Sequence, residues 1–187
     1  MDNKKRLLLI ILVFALLIVG ATVLYNKMSA ELETEQMSVK EDTAPQQERS
    51  LVPDFKVTDI DGNEVQLHSY LGKPIVLNFW ASWCGPCQME MPDFEQAYKE
   101  YGDEVNFLMI NMTDGSRETV EIASEFIRQN EYTFPVLYDT AREAAYSYAV
   151  HSLPVTYFID ADGNAVGWAK GMINAETLEE ALNAIMK

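Results

Sequence analysis

The sequence predicts an α/β domain, a central mixed β-sheet flanked by helices, over residues 51–187. Three observations predict it. Residues 74–80 (PIVLNFW) and 105–111 (VNFLMIN) are continuous β-rich apolar runs, the mark of central strands buried on both faces. Between the strand signals lie apolar residues at helical spacing. At the carboxyl end, two strand signals joined by Asp162-Gly163 precede an amphipathic helix.

In chain order, Phe55–Thr58 and Glu64–Leu67 read as short strands around the turn signal Asp61-Gly62-Asn63. After strand 74–80, Phe94, Ala97, Tyr98 and Tyr101 mark one face of a helix that contains Pro92 and should bend there. Strand 105–111 is followed by the helical stripe Val120, Ala123, Phe126 and Ile127. Pro135–Tyr138 reads as a short strand and residues 141–149 as a short helix. Val155–Asp160 and Ala165–Lys170 form a hairpin, and Leu178, Ala181, Leu182 and Ile185 give the closing helix.

The first 50 residues differ in kind. Residues 7–25 are nineteen positions without a charge, preceded by Lys4, Lys5 and Arg6. At ~1.5 Å per residue such a run just spans a hydrocarbon core of about 30 Å. Positive charge before it keeps that end cytoplasmic and sends the rest outward. Residues 1–25 are therefore expected to be an N-terminal membrane anchor, or an export signal cleaved after Ala21 or Ala30. Residues 26–50 are polar, hold no aromatic residue, and are expected to be a flexible linker. The expected location is the cell membrane, single-pass, with the folded domain on the extracytoplasmic side.

Charge and cysteine content exclude several functions. Beyond Arg6 the chain carries 11 basic and 28 acidic residues, a net charge of −17. Nucleic-acid binding through a basic face is excluded on that balance. The two cysteines, Cys84 and Cys87, cannot build a disulfide scaffold or a four-cysteine zinc site. No metal site is expected.

Their spacing carries the chemistry. Trp83-Cys84-Gly85-Pro86-Cys87 stands where strand 74–80 passes into the next helix. There, free backbone N–H groups and the helix dipole favour a Cys84 thiolate. Cys87 follows one turn later on the same face, so the sulfurs can join without rearrangement of the backbone. Gly85 and Pro86 fill the first turn, where proline forfeits no hydrogen bond. A purely structural disulfide would close a longer loop. A c-type haem would need histidine where Gln88 stands. A redox-active dithiol with no further cofactor is the reading that remains.

Residues 51–187 resemble a thioredoxin-fold domain of the TlpA/ResA type, membrane-anchored extracytoplasmic thiol–disulfide oxidoreductases. The resemblance is carried by Val76 through Cys87, by Glu90, Met91 and Pro92, and by Leu153-Pro154-Val155-Thr156. It implies a cis bond before Pro154, with Pro154 packed against the dithiol. It also implies a central insertion before that loop, a Cys84–Cys87 redox disulfide, and a proton-exchanging role for Glu90. Trp83 and Leu153 are expected to flank a groove for the substrate chain. His151 is expected at the surface and Asn78 as a hydrogen-bonded core amide. The implied substrates are protein disulfides, with apocytochrome c or another exported redox protein as candidates, and the implied electron donor is a CcdA/DsbD-type membrane protein. The favoured direction is reduction. Rivals are a thiol oxidase or isomerase of the same fold, and a non-catalytic tethered chaperone or binding module. A peroxiredoxin-type peroxidase would want threonine or serine where Ala81 stands.

Overall fold

The computed structural model describes residues 51–187. The expected anchor and linker lie outside them. Among the described residues, no helix is long and apolar enough to cross a membrane.

Seven strands form one sheet: β1 (Lys56–Thr58), β2 (Glu64–Gln66), β3 (Ile75–Trp80), β4 (Asn106–Asn111), β5 (Val136–Tyr138), β6 (Val155–Ile159) and β7 (Ala165–Lys170). Their spatial order is β2-β1-β5-β4-β3-β6-β7. β3, β4 and β5 run parallel, while β6 and β7 return antiparallel on one side and β1 and β2 on the other. The helices are α1 (Gly85–Tyr101), α2 (Val120–Gln129), α3 (Glu143–Ser147) and α4 (Ala175–Ile185), with a 3-10 turn at Leu67–Tyr70. This is the mixed sheet flanked by helices that the apolar runs predict. The expected insertion between β4 and Pro154 holds α2, β5 and α3.

β3 is the structural centre, and all six of its residues are buried. Strand periodicity sends alternate side chains to opposite faces. Val76 and Trp80 join the core containing Met91, Phe94 and Leu182, on the face covered by α1 and α4. Ile75, Leu77 and Phe79 join the opposite core with Phe55, Leu137 and Tyr148. Asn78 is the polar exception in β3 and shares the face of Val76 and Trp80.

Helix ends follow local chemistry. The Thr119 hydroxyl accepts from Ile122 N–H at 3.2 Å to start α2, and the Asn174 side chain accepts from Thr177 N–H at 2.9 Å to start α4. α3 is shorter than the expected 141–149. Arg142 and Ala149 adopt left-handed backbone, with φ of 60° and 49°, and no α-helix passes through such residues. The Asp139 carboxylate, 1% exposed, accepts from the N–H groups of Ala144 and Ala145 at 3.2 and 2.8 Å. Pro92 lies inside the continuous α1. At the β6–β7 turn Gly163 has φ 84°, and a β-carbon there would strike the Leu51 side chain.

Candidate active site

The dithiol forms at the junction of β3 and α1. Cys84 is the N-cap of α1, and its sulfur accepts from Cys87 N–H at 3.3 Å. That donor and the helix N-terminus behind it are what a Cys84 thiolate requires for stabilisation. Cys84 and Cys87 are joined in a disulfide, with Cα atoms 5.2 Å apart. Cys87 is fully buried and Cys84 is 5% exposed, so both lie in the core and Cys84 alone of the two reaches solvent. Gly85 and Pro86 occupy the first turn, as the sequence predicts.

Beneath the dithiol lies a buried carboxylate. Glu90 is one turn past Cys87 and 1% exposed, so it is not the solvated helix residue that an isolated helix position would allow. Its Oε1 accepts from Asn78 Nδ2 at 2.9 Å and its Oε2 from Ile173 N–H at 3.1 Å. Burial pushes its pKa from 4.5 up to about 7. The hydrogen bonds from Asn78 and Ile173 act against the rise, and the charge of Asp93 adds to it. Asn78 is the hydrogen-bonded core amide the sequence predicts, and its Nδ2 also donates to Thr156 Oγ1 at 3.0 Å. Sheet register places Thr156 directly opposite Asn78. Asn78 Oδ1 has no protein partner. A carboxamide can turn over and offer its oxygen instead of its N–H groups, so the same side chain can meet Glu90 in either protonation state.

A second buried carboxylate holds the loop. Glu118 is fully buried; its Oε1 accepts from Ser82 N–H at 2.8 Å and Asn111 Nδ2 at 2.6 Å, and its Oε2 from the Ser82 hydroxyl at 2.6 Å. Ser82 stands two residues before Cys84, so Glu118 fixes the approach to the nucleophile. Glu118 sits on a turn organised by Asp114, whose Oδ1 accepts from the N–H groups of Ser116, Arg117 and Glu118. The Glu118 and Ser116 N–H bonds hold the Asp114 carboxyl at a pKa of about 2.

The two residues expected to flank a groove do share a cavity. Trp83 and Leu153 line one cavity of about 200 Å³, together with Met112, Arg142 and His151. Trp83 is 42% exposed and Leu153 half-buried. The Leu153–Pro154 bond is cis, as the resemblance implies. Pro154 is buried, and the β3–β6 register carries it to the end of β3 from which the chain runs on to Cys84. His151 is at the surface, as expected, and also borders the groove.

Sequence reasoning brought Cys84, Cys87, Glu90, Trp83, Leu153 and Pro154 to this end of the sheet. It missed Glu118, Arg117 and Arg142. Arg117 lays its guanidinium over the Trp83 ring, 3.8 Å from the centroid. An Asp-x-x-x-Glu turn straight after a buried strand was the available signal for Glu118. Among the described residues, no group of three or more His, Cys, Asp or Glu side chains is placed to hold a metal ion.

The chain is similar to known proteins. Residues 49–166 match the model of the AhpC/TSA family. A thiol-disulfide oxidoreductase ResA of Bacillus cereus is 32% identical over 186 residues, covering 98% of each chain. The chain belongs to the AhpC/TSA family, among its ResA-type thiol–disulfide oxidoreductases. Solved structures superpose on the domain. StoA of Bacillus subtilis is 27% identical with a TM-score of 0.60, covering 70% of this chain and 96% of its own. A putative thiol:disulfide interchange protein DsbE of Chlorobium tepidum is 27% identical with a TM-score of 0.65, covering 73% and 96%. The ResA-type chain is thus an enzyme of thiol–disulfide exchange on a thioredoxin fold, with a disulfide at the family's motif.

Proposed function

We propose that this ResA-type enzyme works as a disulfide reductase on the extracytoplasmic face of the cell membrane, tethered through residues 1–25. The observation that carries the catalytic reading is the pairing of Cys84, at the α1 N-cap and 5% exposed, with a fully buried Cys87. In the reduced enzyme the Cys84 thiolate attacks one sulfur of a substrate disulfide. A mixed disulfide forms and the other substrate sulfur leaves as a thiolate. Cys87 then loses its proton and attacks the Cys84 sulfur. The Cys84–Cys87 disulfide closes and the second substrate thiol departs, so two electrons have passed to the substrate.

Glu90 is the proton acceptor for Cys87. It follows Cys87 by one helical turn, and a pKa of about 7 suits proton exchange at neutral pH. Trp83, Leu153 and Pro154 receive the substrate chain in extended form, with Gly85 and Pro86 shaping the turn between the sulfurs. Outside the cytoplasm the oxidised dithiol must be reduced again from the membrane, which calls for a CcdA/DsbD-type donor. Protein disulfides, among them those of apocytochrome c or another exported redox protein, are the substrates this reading implies.

Insulin reduction by the chemically reduced full chain tests the direction. Multiple equivalents of insulin reduced per enzyme in the presence of a low-molecular-weight dithiol support a reductase. Net oxidation of dithiol peptides, with no reduction of insulin, would instead favour the oxidase of the same fold.

A further inference from the structure

The groove beside the dithiol is bordered by two arginines and one carboxylate, Asp114, on a domain that is otherwise strongly acidic. Residues 51–187 hold 22 acidic side chains and eight basic ones, of which three are arginines. Two of those three stand at the dithiol's mouth: Arg142 in the wall of the groove, and Arg117 on the ring of Trp83. Both are exposed. Among the described residues neither forms an ion pair with a carboxylate, whereas the third, Arg128, is paired with Glu125 at 2.6 Å.

The nearby acids are already engaged. Asp114, which lines the same groove as Arg142, turns Oδ1 onto three backbone N–H groups of its own loop, so one carboxylate stands against the two guanidiniums. Glu143, next to Arg142, accepts from Lys56 N–H at 3.1 Å on β1. Glu118 is fully buried on Ser82 and Asn111. Arg142 also keeps a left-handed backbone, φ 60°, which is uncommon outside glycine, asparagine and aspartate and places its side chain at the groove. The apolar side chains of Trp83, Met112 and Leu153 line the same groove as Arg142.

Resting on the thiol–disulfide reading above, we infer that this groove selects substrate segments carrying an acidic side chain within a few residues of the target disulfide. The extended segment places an apolar residue on Trp83 and Leu153 and its carboxylate on Arg142 and Arg117. Guanidinium suits this task because its planar donors match a carboxylate while its face stacks on an aromatic ring. The same two charges offset the repulsion that the acidic remainder of the domain exerts on an acidic partner.

The test uses the full chain in detergent and two cystine peptides that differ only in glutamate or glutamine beside the disulfide. Exchange is followed in both directions: reduced enzyme with cystine peptide, and oxidised enzyme with dithiol peptide. At low salt the glutamate peptide should react about three- to tenfold faster, and the ratio should fall toward one near 1 M salt. The pair Arg142→Asn and Arg117→Gln should bring the low-salt ratio to about one. Asparagine tolerates the left-handed backbone at 142, so that variant tests charge without strain. Arg142→Glu should invert the order, so that the glutamine peptide reacts faster than the glutamate peptide. Equal rates for glutamate and glutamine peptides at low salt, or a preference that survives the double variant, would overturn the inference. A glutamate preference seen only in the oxidising direction supports it while refuting the reductase reading. Absence of exchange in both directions refutes both.

Discussion

Replacing Glu90 with glutamine should make the protein less sensitive to alkaline pH. In the folded state Glu90 binds its proton up to a pH of about 7, against 4.5 when solvated, because burial disfavours its charge. The folded state therefore binds more protons than the unfolded state between these values. By linkage, this contribution to stability is fully present below pH 4.5 and is lost as the pH rises through about 7. The difference between 4.5 and about 7, at about 1.4 kcal/mol per pH unit, corresponds to about 3 kcal/mol. Glu90 is 1% exposed, so solvent screens little of it. Glutamine has no charge to bury, and its amide can meet Asn78 once the latter turns its unpartnered Oδ1 toward it. Urea unfolding of the oxidised wild type and Glu90→Gln from pH 4.5 to 8.5 gives the difference curve. Contributions from other raised carboxyls, such as Asp139, cancel in it. Relative to its value at pH 4.5, the variant should gain about 3 kcal/mol on the wild type by pH 8. Parallel stability curves across that range would refute the assignment of a shifted, buried Glu90. If Glu90 also takes the Cys87 proton, the variant should alter the pH profile of mixed-disulfide resolution.

Three further outcomes are expected, two from the buried polar groups around the site and one from the proposed anchor. Asn78→Asp sets a second carboxyl beside Glu90, and should destabilise the protein by about 1–3 kcal/mol at pH 8 and by less at pH 5 in urea titrations. Glu118→Ala leaves Ser82 and Asn111 donors without their acceptor; unfolding free energy should fall by about 2–4 kcal/mol, and Cys84 alkylation should slow as the loop loosens. In cells, protease added outside the cytoplasmic membrane should digest the domain, and the intact chain should sediment with membranes. Recovery of a soluble form starting after Ala21 or Ala30 would show cleavage instead.

Much of this fold is local in origin and was legible for that reason. Burial on both faces writes β3 and β4 as unbroken apolar runs, and helical spacing writes α2 and α4. The Cys84–Cys87 spacing at a strand-to-helix junction likewise states its chemistry without tertiary information. What the sequence hid was pairwise and distant. Ser82 and Glu118 are 36 residues apart, and Ile173 lies 83 residues beyond Glu90. A helix position three residues after Cys87 does not reveal whether a strand and a loop will close over it, so the Glu90 environment was visible only once β3, β6 and the loop before α4 were assembled. The shortened α3 has a different cause. Residues 141–149 have good helix formers, and their propensity is overridden by left-handed backbone at Arg142 and Ala149.

The central claim is that Cys84 is the nucleophile and Cys87 the resolving thiol, and trapping tests it most directly. Cys87→Ala, reduced and mixed with a cystine peptide, should accumulate a mixed disulfide that mass spectrometry places on Cys84. Cys84→Ala under the same conditions should reduce no peptide beyond background. Multiple-turnover reduction by Cys84→Ala, or a Cys87→Ala protein that forms no adduct at Cys84, would contradict the account.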